Sequence, residues 1–231
     1  MMLDAPSGQG LPPQTQCELW HERTLLCRWL STLLAKELDE VTLKAYLQGE
    51  AEPLLELLRD HAQLTPLVER FNQALNALRL FEQPRLELAA DFATLFLMDG
   101  RTSAPPYASL YQPGQALFHQ QPTERMEMRL RAAGYDVVKD FGEPADHLAV
   151  MLDYLATGYE RLGEASSDAE CEEIKGGLVQ FVDEELTPWL PTFAQRCQQI
   201  DTASDFYPAL AQLVAGYCAT LSTQSGCRSS I

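Results

Sequence analysis

LCRWLSTLL, residues 26–34, sets Leu26, Trp29, Leu30, Leu33 and Leu34 at i, i+3, i+4, i+7 and i+8. That spacing gathers the apolar side chains on one face of an α-helix, where a half-buried strand would alternate them every second residue. The same period recurs outward from this stretch. Asp39 can cap a short second helix that ends at Gly49, and Leu54, Leu55, Leu57 and Leu58 suggest a third. Thr65-Pro66 starts a fourth carrying Leu67, Phe71, Leu75 and Leu78, and Pro84 opens a fifth carrying Leu88, Phe92, Leu95 and Phe96.

Helical period resumes at Pro122-Thr123 and stops at Gly134. A helix opened by Pro144 then carries Leu148, Met151, Leu152, Leu155 and Tyr159. Ser167 and Glu170 have capping-box spacing before Ile174, Leu178, Phe181 and Val182. Gly176-Gly177 interrupts that last helix and marks either a close helix contact or a kink. Two more patterns run from Pro188 to Ile200 and from Phe206 to Leu221. No repeat of solenoid length is present. The expectation is an all-α chain, a single helical bundle of about eight to ten helices.

Composition agrees. At 231 residues and 46% hydrophobic, the chain can bury one substantial core, and runs of Val, Ile and Thr at period two are almost absent. A formal net charge of −16 disfavours nucleic acid and anionic membrane surfaces as partners. It fits either a basic partner or plain solubility. The six cysteines form no C-x-x-C pair and the four histidines are scattered, so reduced thiols in the cytoplasm are expected rather than disulfides or a zinc site. No basic-then-apolar leader and no run of 18 apolar residues occurs, so no membrane insertion is expected. Residues 1–15 and 222–231, small and polar, read as flexible tails around a helical domain over 16–221.

The period fails over DGRTSAPPYASLYQPGQALFHQQ (99–121), which is rich in proline and aromatic rings. A patternless loop of this length in a compact domain is functional, a hinge or disordered, and its rings favour a docked binding loop. As a hinge it would permit a homodimer by domain swapping. Two polar placements also break the pattern. Asp91 lies on the stripe of Leu88, Phe92 and Leu95, where it either holds helices together or faces a cleft. In FGEPADH (141–147), Pro144 at the first helical position would put Glu143 at the cap and Asp146 three residues in, reaching back to the cap amide. His147 precedes Met151 on the apolar face, as a satisfied core residue or as part of a site. Glutamate caps poorly, so the placement of Glu143 hints at a site.

RLELAADFATLFLMDG (85–100), APPYASLY (104–111) and FGEPADHLAVMLDYL (141–155) together resemble the TorD family of redox-enzyme maturation chaperones. Within it the wording is nearest to the chaperones of trimethylamine N-oxide reductase; relatives serve dimethyl sulfoxide and nitrate reductases. The likeness is specific over 85–155 and rests on length and pattern elsewhere. It implies a cytoplasmic, non-enzymatic chaperone that binds the twin-arginine leader and the apo form of a molybdoenzyme. Such a protein assists insertion of the client's molybdenum cofactor before export. It also implies that Asp146 and His147 take part in leader binding, with Glu143, Pro144, Tyr107 and Ser109 in the same motifs. Asp91, Phe92, Leu95 and Phe96 would contribute to the cleft and its apolar floor. A basic leader needs carboxylates and an apolar groove, and residues 143–185 hold a marked acidic excess. That run is also what a solvated helical face would look like.

Other classes fit less well. A metal-dependent hydrolase needs three or more convergent ligands, and Asp146-His147 has no companion at metal-ligand spacing. Neither nucleotide loop, G-x-x-x-x-G-K-[ST] nor G-x-G-x-x-G, is present, so guanine nucleotide, which the resemblance allows as an accessory ligand, would need an unconventional site. No serine or cysteine has the setting of an activated nucleophile. A helical adaptor without chaperone activity is separated from the chaperone reading by the resemblance alone.

Overall fold

The structure, a computed structural model, describes residues 13–111, 120–135 and 142–223. Most of both expected tails, residues 112–119 of the long loop, and Phe141 lie outside the described residues. Among those described, the chain forms ten α-helices and no sheet: α1 (Pro13–Ala35), α2 (Glu40–Leu47), α3 (Glu52–Arg59), α4 (Thr65–Ala77), α5 (Pro84–Phe92), α6 (Gln120–Ala132), α7 (Leu148–Glu164), α8 (Asp168–Phe181), α9 (Leu190–Gln199) and α10 (Phe206–Thr223). None is long and apolar enough to cross a membrane. α1 begins at Pro13 and α10 ends at Thr223, so both helices run slightly into the stretches expected to be tails.

Local chemistry sets most of the ends. The Asp39 carboxylate accepts from Thr42 N at 2.8 Å at the start of α2, and Gly49 takes a left-handed φ of 97° just past its end. Gly134, with φ 80°, stops α6 in the same way. At α8 the Ser167 hydroxyl accepts from Glu170 N, while the Glu170 carboxylate accepts from Ser166 N, one residue earlier than in a standard capping box. α5 and α8 each widen into a π-turn, at Ala93–Leu97 and Val182–Leu186.

Two expectations are corrected. α7 starts at Leu148 and not at Pro144, so Glu143 is not its cap and Asp146 does not complete a capping box. The reason is a competing backbone pairing. Ala108 N donates to Asp146 O and Leu148 N donates to Pro106 O, which holds His147 extended (φ −67°, ψ 134°). The glycine pair of α8 marks no close contact: a Cβ at Gly176 or Gly177 would meet nothing within 4 Å. The close approach is at Gly158 of α7, where a Cβ would lie 2.3 Å from Leu178 Cδ2.

Two pairings organise the core. α1 runs antiparallel along α7, with Thr24 and Ser31 hydroxyls donating to Ala156 O and Ala149 O and Trp20 stacked on Tyr159. α10 carries no charged residue and is almost wholly enclosed between α4, α5 and α9. Phe71 meets Phe206 on one side, and Phe92, Phe96 and Tyr207 meet edge to face on the other. This frame presents the long loop to the start of α7.

Candidate functional site

The described part of the long loop is docked. Ala104 N donates to Leu95 O, the Ser103 hydroxyl donates to Asp99 O, and Tyr111 stacks on Trp189 with 5.5 Å between ring centroids. The loop closes in a 3-10 turn at Ala108–Leu110, directly against the 143–148 segment. Tyr107 and His147 face each other across an isolated antiparallel bridge, rings edge to face at 5.1 Å. Four of the expected residues therefore meet here, with Ser109 and Pro144 beside them.

Each has a definable role in that junction. The Asp146 carboxylate is buried and accepts from Ser109 N at 3.0 Å and from the Thr123 hydroxyl at 2.8 Å, so it fastens the loop and α6 to the start of α7. His147 is the cap of α7: its Nδ1 accepts from Ala149 N at 3.1 Å. Burial holds this imidazole down to about 4 from 6.5, against the smaller upward pull of Glu143 and Asp146. It is thus neutral, as an accepting cap requires. The Tyr107 hydroxyl donates to Glu143 Oε2 at 2.5 Å. Burial, then that carboxylate, push the hydroxyl's pKa well up. Glu143 is half-buried and Pro144 exposed, which makes Glu143 the accessible carboxylate of the cluster.

The other expected residues are elsewhere. Asp91 is buried, and its carboxylate accepts from Ala203 N at 2.7 Å, Ser204 N at 2.9 Å and the Ser204 hydroxyl at 2.6 Å. It ties α5 to the turn before α10, which is the helix-holding alternative. Phe92, Leu95 and Phe96 sit in the core beneath α10 and line no open groove as the chain is folded. The two described cavities, of about 290 and 280 Å³, lie between α6, α7 and α8 and beside Leu80 and Phe81, away from the junction. Among the described residues no three His, Cys, Asp or Glu converge as a metal would require.

A second polar cluster adjoins the junction and was not foreseen from sequence. Glu185, almost fully buried in the π-turn after α8, pairs with Arg125 at 3.1 Å and Arg129 at 3.4 Å. Arg129 also reaches Glu184 at 2.8 Å and lies over the Phe181 ring. The available signal was Arg125 and Arg129 one turn apart beside Met126 and Leu130, a basic edge on a buried stripe.

Comparison with known proteins places these features in context. Residues 61–195 match the family described as nitrate reductase delta subunit. A chaperone protein TorD of Vibrio parahaemolyticus is 39% identical over 190 residues, 82% of this chain and 88% of its own. Another from Photobacterium profundum is 34% identical over 197 residues, 85% of this chain and 91% of its own. A solved redox enzyme maturation protein from Archaeoglobus fulgidus superposes with a TM-score of 0.45 at 17% identity, covering 97% of this chain and 99% of that one. So loose a superposition supports no conclusion about function.

Proposed function

The chain belongs to the TorD family of redox-enzyme maturation chaperones, and from that premise we propose that it binds the twin-arginine leader and apo form of a molybdoenzyme of the trimethylamine N-oxide reductase type. It would act in the cytoplasm, hold the client ready for its molybdenum cofactor, and release it for export. Like its chaperone relatives it is a binding protein and not an enzyme. A client of the dimethyl sulfoxide or nitrate reductase type is the second reading, and the description of the matching family favours the nitrate reductase type. A homodimer by domain swapping across 99–121 is part of the same proposal.

The observation that carries the leader reading is the exposure gradient at the junction. Asp146 and His147 are buried and engaged by the fold, while Glu143 and Ser109 are half-exposed beside exposed Pro144. A guanidinium can therefore reach Glu143 without unfolding anything, on a loop platform that Asp146 and His147 hold in shape. Calorimetry with a synthetic twin-arginine leader tests this. Glu143→Gln should weaken binding about tenfold, the size of one lost charge-assisted hydrogen bond, with unchanged melting. Affinity of the wild type should fall as salt rises. Equal affinity for Glu143→Gln and wild type would remove Glu143 from the site.

A further inference from the structure

The residues that the leader would need are acidic and backed by an apolar surface, and one such surface is already covered by the chain itself. α6 reads QQPTERMEMRLRA and lays Arg125 and Arg129 on Glu185, Arg129 on Glu184 and over Phe181, and the Thr123 hydroxyl on Asp146. Of its apolar side chains only Pro122, Met126 and Leu130 are buried, whereas α7 buries eight residues, from Leu148 to Leu162. α6 is thus held largely by ion pairs and hydrogen bonds. Its three arginines outnumber Glu124 and Glu127 by one, and it lays guanidinium groups and a few apolar anchors on the surface below, groups that a twin-arginine leader also offers.

We propose that the surface beneath α6, built from Asp146, Phe181, Glu184 and Glu185, is a docking surface for the arginine-bearing segment of the client, and that α6 occupies it in the client-free chain. This rests on the leader-binding reading above and adds a second contact region and a competitor to it. Glu185 explains why the exchange is conditional. A carboxylate this buried is strongly disfavoured without a cation, so the open form is a minor state of the client-free chain and an arriving guanidinium stabilises it. Charge complementarity selects the occupant: the Glu184 and Glu185 carboxylates and the Phe181 ring face accept a guanidinium and reject an acidic or purely apolar segment. Glu143 at the rim would receive the first arginine, and the α6 surface the continuing chain.

The test is competition, because its sign separates the two roles α6 can have. Arg129→Gln removes the ties of α6 to Glu184 and Phe181 and one of its two to Glu185, while leaving Arg125 on Glu185. If α6 is a competitor, this variant binds the twin-arginine peptide several-fold tighter, since apparent affinity scales with the fraction of chains whose surface is open. Hydrogen exchange of α6 amides in the wild type should also speed up when the peptide is added. If wild type binds the peptide with α6 equally protected, and Arg129→Gln binds no tighter, α6 is a fixed wall and this inference falls while the proposed function stands. If neither protein binds the peptide, the leader-binding reading itself is lost, and this surface with it.

Discussion

His147 spends its Nδ1 lone pair on the amide of Ala149, so a proton there would remove the cap of α7 and leave a cation in a buried site. Its folded pKa, about 4, lies below the unfolded 6.5. Between these values the unfolded chain binds more protons, and stability rises with pH through that window. The contribution is fully present above pH 6.5 and is lost as pH falls toward 4. It amounts to about 3–4 kcal/mol, since each pH unit between the two values is worth roughly 1.4 kcal/mol. His147→Asn keeps a good cap and cannot titrate. Its melting temperature should fall less than that of wild type between pH 7 and 4.5, and identical slopes would show that other groups govern acid unfolding. The sequence alone left His147 open between core residue and site. The cap role was hidden because it depends on Pro106 and Ala108, some 40 residues earlier, holding Asp146 and His147 extended.

Helix ends obey local rules wherever nothing distant competes. Asp39, Pro84, Gly134 and Ser167 each mark a boundary that the sequence predicts, because capping and left-handed glycine are chemistry of neighbours along the chain. The start of α7 escapes because a bridge to the loop overrides Pro144. The π-turns after α5 and α8 escape because no local signal requires the extra residue. Glycine is the clearest case of a type that is legible and a role that is not. Gly177 faces open space, so Gly177→Ala should raise stability by about 0.5–1 kcal/mol through helix propensity alone. Gly158→Ala brings the same helix gain but forces its Cβ on Leu178, and overpacking of about 1–3 kcal/mol should make the net effect destabilising. Urea unfolding of both variants tests the pair. A destabilised Gly177→Ala would mean that something fills the space beside it.

At the scale of the molecule, the two halves on either side of the long loop complete each other. α1 buries its face on α7, α10 buries itself on α4 and α5, Asp91 holds Ala203 and Ser204, and Arg70 pairs with Asp205. Periodicity along the chain identifies the apolar faces yet names no partner, since pairing depends on residues more than 100 positions apart. Neither half therefore has a closed core of its own. If the chain is divided between Tyr111 and Gln120, each part alone should show little helix and no cooperative melt. Mixed in equal amounts, the parts should regain the circular dichroism of the intact chain. Two intact copies that exchanged halves across the loop would keep the same complementarity, because each intramolecular contact would be replaced by an identical intermolecular one. Refolding at high concentration should then give a fraction of dimer with the monomer's spectrum and melting temperature, seen by size exclusion with light scattering. A part that folds alone, or a chain that stays monomeric at every concentration, would mean that one half carries its own core and that the loop is no hinge.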